Sequence, residues 1–409
     1  MSSRIRDNGQ RIDHDSPLAT VIQPVLRPQM PELDSLRGIA CLMVLFYHGF
    51  ANHFEADRFS LLPRLLIRAT SLGWTGVNLF FVLSGLLITG ILIDSRGSSD
   101  YYRHFYIRRA LRILPLYYGV LLLLALFWQL RLSDRAMSWT FLGMAGIYLA
   151  NMTPLIGLSI QYPVVWSLAV EEHFYLLWPA CIRRLSLRGI AVFAVVICIA
   201  TLALRILASA LHYEPLGLYT WLVTDGLAMG ALLAVVARRF SRSQLWAFAG
   251  CAVLITAICF AIDSLAGQTL AGGALHVTGF NAFFAAILTL ALLLGSKFSV
   301  RSRILEFVGA ISYGVYLTHF LFFDVFDHFG KRVWPSLAER NVGFPLVLFR
   351  FLTVATVTIV VCYLSRWYFE EPFLRLKSRF APSDSSRRVE ASLPTPMSAE
   401  GLSERSIAV

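Results

Sequence analysis

Residues 33–50 read LDSLRGIACLMVLFYHGF, an apolar stretch that contains ionisable side chains. Its length is close to the roughly 20 residues that an α-helix needs to cross a bilayer. Arg37 and His48 lie eleven residues apart, and at about 100° per residue that spacing returns to nearly the same helix face. The stretch therefore predicts a transmembrane helix with a permanent cation near one end and an imidazole about 16 Å further along the same face.

Composition extends this prediction to the whole chain. Of the 409 residues, 57% are hydrophobic and 15% are charged, whereas about 25% of a typical soluble domain is charged. This composition excludes an ordinary cytosolic enzyme, a disordered chain and a coiled coil, and it predicts an all-α, polytopic transmembrane helix bundle. About ten runs are long enough to span the membrane: 33–54, 74–95, 112–131, 164–182, 189–211, 216–237, 244–264, 277–296, 305–327 and 344–368. A shorter run at 139–152 is expected to lie at the interface without crossing.

The distribution of basic residues predicts the orientation of the spans. The chain carries 36 basic and 25 acidic residues, a net charge of +11. With the N-terminus in the cytoplasm, 25 Lys and Arg fall in cytoplasmic segments and 8 on the opposite side, in agreement with the positive-inside rule. Both termini are therefore expected in the cytoplasm, and the basic charge is explained without a nucleic-acid partner.

Three regions follow from this organisation. Residues 1–32 are expected to form a cytoplasmic tail without a signal peptide, residues 33–375 the transmembrane domain, and residues 376–409 a disordered cytoplasmic tail. The six cysteines lie in apolar stretches and form no CxxC pair, so neither a metal site nor a disulfide framework is expected. Pro372 is expected to end the last helix.

Ionisable side chains inside spans are costly, so each one needs an explanation. Arg37 and His48 suit a donor-anchoring cation and a proton-transfer group. Alternatively, Arg37 snorkels and pairs with Asp34, while His48 bonds to a neighbouring helix. Arg109 and Arg112 share a helix face, where they either clamp a phosphorylated cytosolic ligand or anchor the helix at the membrane surface.

The fourth and ninth spans add further polar groups. Glu171 and Glu172 stand at the non-cytoplasmic start of the fourth span. There they either bind a hydroxylated substrate, orient His48, or form an acidic pair that the helix dipole favours. Tyr313 and His319 lie on one face of the ninth span, and His319 is either a second polar site or a hydrogen-bonded histidine of the bundle.

Six ordered motifs together resemble the acyltransferase-3 family of integral membrane O-acyltransferases. They are the Arg37-to-His48 spacing, FFVLSG at 80–85, RxxR at 109–112, WSLxVE at 166–171, ISYxxYLxH at 311–319 and EPF at 371–373. The resemblance covers about 33–373. The chain departs from the family pattern at Ser35, Asn78, His173 and Thr318, which leaves the reaction class intact and affects the acceptor side.

This resemblance implies transfer of an acyl group, usually acetyl, from cytosolic acyl-CoA to a hydroxyl group. The enzyme is expected in the bacterial cytoplasmic (inner) membrane. The implied acceptors are sugars of envelope or exported glycans and glycolipids, or small molecules such as macrolides. Because few residues follow Phe373, the chain is similar to stand-alone members that lack an SGNH-type domain. No permanently bound cofactor is expected, since acyl-CoA serves as a substrate.

The resemblance also implies roles for the polar residues. The expected catalytic residues are His48, as general base or transient acyl carrier, and Glu171. The side chains expected to hold acyl-CoA are Arg37, Arg109 and Arg112. The side chains expected to bind the acceptor are Glu172, Trp166, Tyr313 and His319. The competing class is a non-enzymatic transporter or flippase, which would not need an acyl-CoA donor.

Overall fold

The computed structural model describes residues 30–213, 217–266, 272–297, 302–335 and 343–380. Most of the two expected tails, 1–32 and 376–409, lies outside these ranges. Within them the chain forms fourteen α-helices and no β-strand, as the composition predicts. The helices are α1 Pro31–Phe46, α2 Leu61–Thr70, α3 Gly76–Asp94, α4 Tyr101–Gln129, α5 Trp139–Gly146, α6 Val165–Arg184, α7 Leu187–Ala210, α8 Thr220–Val223, α9 Asp225–Arg239, α10 Arg242–Ala266, α11 Gly272–Leu294, α12 Arg303–Val333, α13 Phe344–Ser365 and α14 Glu371–Phe380.

The polytopic helical bundle is confirmed, with fewer long apolar helices than the ten expected. Eight helical segments of the described chain are long and apolar enough to cross a membrane. The predicted spans 164–182 and 216–237 correspond to α6, which carries four charged residues, and to α9, which has only fifteen residues. Helix α5, in the run 139–152, is about 12 Å long and too short to cross.

Large apolar side chains cover the outer surface of the bundle. Leu122 on α4, Ile199 on α7, Leu254 on α10 and Val360 on α13 are all exposed. On a soluble protein such a surface would promote aggregation, whereas lipid tails solvate it without cost. The protein is therefore an integral membrane protein, as its composition predicts.

Glycines bring two pairs of helices into close contact near the centre of the bundle. A Cβ atom added to Gly85 of α3 would lie 2.0 Å from a backbone carbonyl oxygen of α9, and one added to Gly230 of α9 would lie 2.0 Å from a carbonyl of α3. Gly38 and Gly309 make the same reciprocal contact between α1 and α12, at 2.2 and 2.0 Å. Helix association in lipid depends on such close packing of small residues. These crossings place the polar residues of α1, α3 and α12 beside one another.

Two helices loosen into π-helical turns. Helix α1 changes at Phe46 into a π-turn over Tyr47–Ala51, which includes the Asn52 N–H to Tyr47 carbonyl bond of 2.9 Å. Arg37 lies in the α-helix and His48 in the π-turn, so the angle between the two side chains differs from that of an ideal α-helix. Helix α13 passes through a second π-turn, Arg366–Glu370, into α14. The expectation that Pro372 ends the helix is wrong, because α14 continues to Phe380, beyond the boundary placed at 375.

Candidate active site

Three arginines from two helices line one cavity. Arg37 of α1 and Arg109 and Arg112 of α4 face a space of about 110 Å³, together with Glu171 and Glu172 of α6. We call this space the arginine cavity. The five side chains, predicted at three separate places in the sequence, therefore meet at one site. Glu171 and Glu172 were expected at the non-cytoplasmic start of their span, but they lie beside arginines expected at the cytoplasmic side, because α6 begins at Val165, about two turns before them. Its remaining polar lining residues are Ser84, Ser167, Tyr175, Ser312, Tyr313 and Tyr316.

Hydrogen bonds hold Glu171 firmly within this cavity. Ser84 donates to one carboxylate oxygen at 2.9 Å, and the Tyr175 hydroxyl donates to the other at 3.0 Å. Tyr175 is also the ring over which the Arg109 guanidinium lies, 4.9 Å from its centroid. Both oxygens of Glu171 are thus engaged away from His48. The structure does not support the expected role of Glu171 as the partner of the imidazole.

The other groups of the arginine cavity are less tightly engaged. Arg37 donates one hydrogen bond to Asp34 at 2.8 Å, which is the pairing that its position in the sequence suggested. The Tyr313 hydroxyl donates to the Ile113 carbonyl at 2.9 Å. Glu172 accepts no hydrogen bond from any residue in the described ranges. Among the residues that the structure describes, the three guanidiniums donate only the bond from Arg37 to Asp34, which leaves most of their N–H groups for a ligand.

A second cavity contains His48. It measures about 250 Å³, and we call it the histidine cavity. Three aromatic side chains line this cavity and not the arginine cavity: Tyr47, Trp74 and Trp166. Asn78 adds a polar group, and its amide donates to Asn281 at 2.8 Å. Trp166 was predicted to contact the acceptor from its motif, whereas Tyr47 and Trp74 carry no signal in the sequence that distinguishes them from interfacial aromatics.

The imidazole of His319 bonds to that of His48. His319 Nδ1 lies 2.9 Å from the Val315 carbonyl, which can only accept, so Nδ1 carries the proton and Nε2 keeps a lone pair. His48 Nδ1 lies 3.1 Å from His319 Nε2 and 3.1 Å from the Val44 carbonyl. Both neighbours are acceptors, so His48 Nδ1 must be the donor. This network leaves the lone pair of His48 on Nε2.

The two cavities share part of their walls. Val77, Phe81 and Tyr316 line both of them. The Tyr316 hydroxyl lies 2.5 Å from the Ser167 hydroxyl and bridges α12 and α6. These side chains therefore stand between a cationic site and a histidine with a free ring nitrogen. Sequence reasoning placed Arg37 and His48 on one face but did not predict that each would line a cavity of its own.

A further cation lies near the arginine cavity without a signal in the motifs. Lys377 is half-buried on α14, which packs along α4. Its ammonium group lies within electrostatic range of Arg108, Arg109, Arg112 and Arg366. No carboxylate within the described ranges pairs with Lys377. Arg366 is paired with Glu371 at 2.6 Å, and an anionic ligand would reduce the repulsion among the remaining basic groups.

Residues 30–367 match the sequence profile of the acyltransferase-3 domain family. The chain belongs to this family. This acyltransferase-3 chain is 28% identical over 378 residues to YrhL of Bacillus subtilis, a candidate peptidoglycan O-acetyltransferase; the match covers 84% of the chain and 54% of YrhL. It is 26% identical over 326 residues to the O-acetyltransferase OatA of Staphylococcus aureus, covering 71% and 50%.

The peptidoglycan O-acetyltransferase OatA of Listeria monocytogenes is 30% identical to the acyltransferase-3 chain over 167 residues, which cover 38% of the chain and 24% of that protein. The chain thus spans about half the length, or less, of these curated relatives. No solved structure shows significant similarity to it.

Proposed function

We propose that this acyltransferase-3 protein transfers an acetyl group from acetyl-CoA to a hydroxyl group of a cell-envelope glycan. The observation that carries the proposal is the shared wall between the arginine cavity and the histidine cavity. One cavity suits a polyanionic donor, the other suits a neutral sugar with a hydroxyl to activate, and three side chains line both of them. The names of YrhL and of OatA from Listeria monocytogenes point to peptidoglycan as the class of acceptor.

The arginine cavity supports acyl-CoA as the donor. The charge asymmetry of the loops predicts that this side faces the cytoplasm, where acyl-CoA is made. Guanidinium groups match phosphate geometry with paired donors, and Arg37, Arg109 and Arg112 supply three of them. The carboxylates of Glu171 and Glu172 lie next to the basic patch. Phosphate is therefore favoured at the arginines and disfavoured at the carboxylates.

The histidine cavity supports a sugar as the acceptor. The rings of Trp74, Trp166 and Tyr47 offer flat apolar surfaces against which the C–H face of a pyranose can pack. Asn78 offers an amide for one hydroxyl. His48 stands among these groups, so a hydroxyl of the bound sugar would come within reach of Nε2.

The reaction needs one proton acceptor and no metal in this scheme. His48 Nε2 takes the proton of the acceptor hydroxyl as its oxygen attacks the thioester carbonyl. The C–S bond breaks, the ester forms, and the departing thiolate receives a proton from the imidazolium. His319 Nε2 accepts from His48 Nδ1–H throughout, which fixes the ring and its tautomer.

A covalent route uses the same groups. Attack of Nε2 on the thioester carbonyl would break the C–S bond, release the CoA thiolate and give an acyl-imidazolium. The sugar oxygen would then take the acyl group, and the proton of the sugar hydroxyl would pass to the thiolate. The two routes differ when the acceptor is withheld. Purified protein mixed with labelled acetyl-CoA alone retains label on His48 only in the covalent route, and intact-protein mass spectrometry reads this out.

Reconstitution tests the proposal directly. Purified protein in proteoliposomes is supplied with labelled acetyl-CoA and peptidoglycan fragments, and ester-linked label on the glycan is measured after alkaline release. We expect wild-type protein to transfer label and the His48→Gln variant to transfer none. Absence of acetyl-CoA binding by the wild-type protein would overturn the donor assignment, and transfer only to a non-glycan acceptor would overturn the acceptor assignment.

A further inference from the structure

The π-turn that carries His48 leaves the buried carbonyl of Gly49 without a backbone partner among the described residues. After this turn, the N–H groups of His53 and Phe54 both donate to the Phe50 carbonyl, at 3.1 and 2.9 Å, and that of Asn52 donates to Tyr47 at 2.9 Å. The Gly49 carbonyl therefore receives no backbone donor within the described ranges. A buried carbonyl left in this way costs free energy unless a side chain satisfies it.

Arg350 supplies the missing donor from another helix. Its Nη1 donates to the Gly49 carbonyl at 3.1 Å. Its Nε and Nη2 donate to the two carboxylate oxygens of Asp327, at 2.6 and 2.7 Å. Arg350 is only 1% exposed, so all of these bonds form away from water. The bidentate pair joins α13 to α12, and its third bond joins both helices to the π-turn.

Packing against the same two helices tightens this contact. A Cβ atom on Gly49 would lie 2.4 Å from the ring of Phe351, so only glycine lets the turn approach α13 this closely. The Arg350 guanidinium also lies over the ring of Phe323, 4.5 Å from its centroid. His53 adds a weaker contact, with Nε2 3.9 Å from Asp327. The position of the turn is thus set by specific contacts with α12 and α13.

We propose that Asp327 and Arg350 are positioning residues that hold the π-turn so that His48 points Nε2 into the histidine cavity. This inference rests on the proposed function. Helix α12 carries both Asp327 and His319, so one rigid helix fixes the backbone next to His48 and also the ring behind it. A loosened turn would misplace the imidazole without touching the arginine cavity.

The test compares two equally buried arginines. Arg205 is also 1% exposed, pairs with Asp225 at 2.7 Å and donates to the Leu222 carbonyl at 3.0 Å, but it lies among α7, α9 and α11. Arg350→Lys and Arg205→Lys each keep the charge and lose the paired donors. Both are purified in detergent, matched for monodisperse protein, and assayed for thermal stability, acetyl-CoA affinity and turnover.

We expect Arg350→Lys to lower kcat by about a hundredfold, since misplacement of a reacting group by an ångström has an effect of that order, with acetyl-CoA affinity unchanged. Arg205→Lys should keep kcat within a few-fold. If Arg350→Lys does not fold, Asp327→Asn replaces it, because it keeps the shape of the side chain and removes its charge. Equal kcat losses in the Arg350 and Arg205 variants, or a normal kcat in Arg350→Lys or Asp327→Asn, would overturn the inference. Wild-type protein that fails to transfer acetyl would overturn the proposed function instead.

Discussion

At His48, the hydrogen bonds of one ring nitrogen decide what the other can do. Glutamine has similar bulk but cannot take up and release a proton near neutral pH. We expect His48→Gln to insert at normal abundance, to bind acetyl-CoA, and to lose at least the factor of about 10²–10⁴ that general-base catalysis supplies. Turnover in membranes matched for protein level measures this. Near-normal turnover would remove His48 from the mechanism.

His319→Gln is the matched comparison. A glutamine amide oxygen can still accept a hydrogen bond from His48 Nδ1–H in place of His319 Nε2. The second acceptor, the Val44 carbonyl, is unaffected. We expect a smaller loss of kcat than in His48→Gln. A loss as complete as that of His48→Gln would mean that His319 itself exchanges a proton during the reaction.

Arg109 and Arg112 permit a separate test of the donor site. Replacement of either by Ala removes a charge-assisted contact to phosphate, which is typically worth about 1.5–3 kcal/mol. We expect acetyl-CoA affinity to fall by roughly ten- to a hundredfold, and Lys to restore it only in part because it lacks the forked donor geometry. Titration calorimetry in detergent measures the affinity, with Arg135→Ala as the control. Normal affinity in both Ala variants would reduce these residues to membrane anchors.

Among the elements, α14 adds a test that the motifs did not suggest. Lys377 faces the guanidiniums of α4, while Arg379 on the same helix is exposed. If Lys377 contacts the 3′-phosphate of the donor, wild-type protein should prefer acetyl-CoA to its 3′-dephospho form. Lys377→Gln should narrow this preference and Arg379→Gln should not. An unchanged preference in Lys377→Gln would exclude this contact.

Local sequence patterns predicted most helices but could not predict their contacts. Hydropathy locates spans because lipid requires an apolar surface along most of a helix. It predicted α6 and α9 as long apolar spans, which they are not. Both helices are buried beside other helices, so α6 tolerates its charged residues and α9 its short length. The His48–His319 bond joins residues 271 positions apart, and the Gly49–Arg350 bond joins residues 301 positions apart. No local pattern encodes either contact.

The tail of the first helix illustrates the same limit. The prediction that Arg37 and His48 share one face assumes a regular α-helix, and the structure places the two residues in two neighbouring cavities. The π-turn at Tyr47–Ala51 depends on Arg350 and on the close packing of Gly49, which are tertiary features. The sequence suggests Glu171 or Glu172 as the group that orients the imidazole, whereas in the structure His319 bonds to it.

For the whole molecule, the charge asymmetry predicts the topology. Reporter fusions placed after Arg135 and after Met152 should both report the non-cytoplasmic side, because α5 is too short to cross between them. Fusions at either terminus should report the cytoplasm. A cytoplasmic signal after Met152 would invert every later loop and would contradict the orientation of the arginine cavity.

The wall formed by Val77, Phe81 and Tyr316 bears on the energy supply of the cell. A membrane enzyme that joins a cytoplasmic donor to an external acceptor through an open pore would let protons leak down their gradient. Here, the two cavities share a wall of three side chains. In the proposed reaction only the small acetyl-bearing end of the donor has to reach past this wall. In this reaction, acetyl groups would cross the membrane without a continuous path for protons.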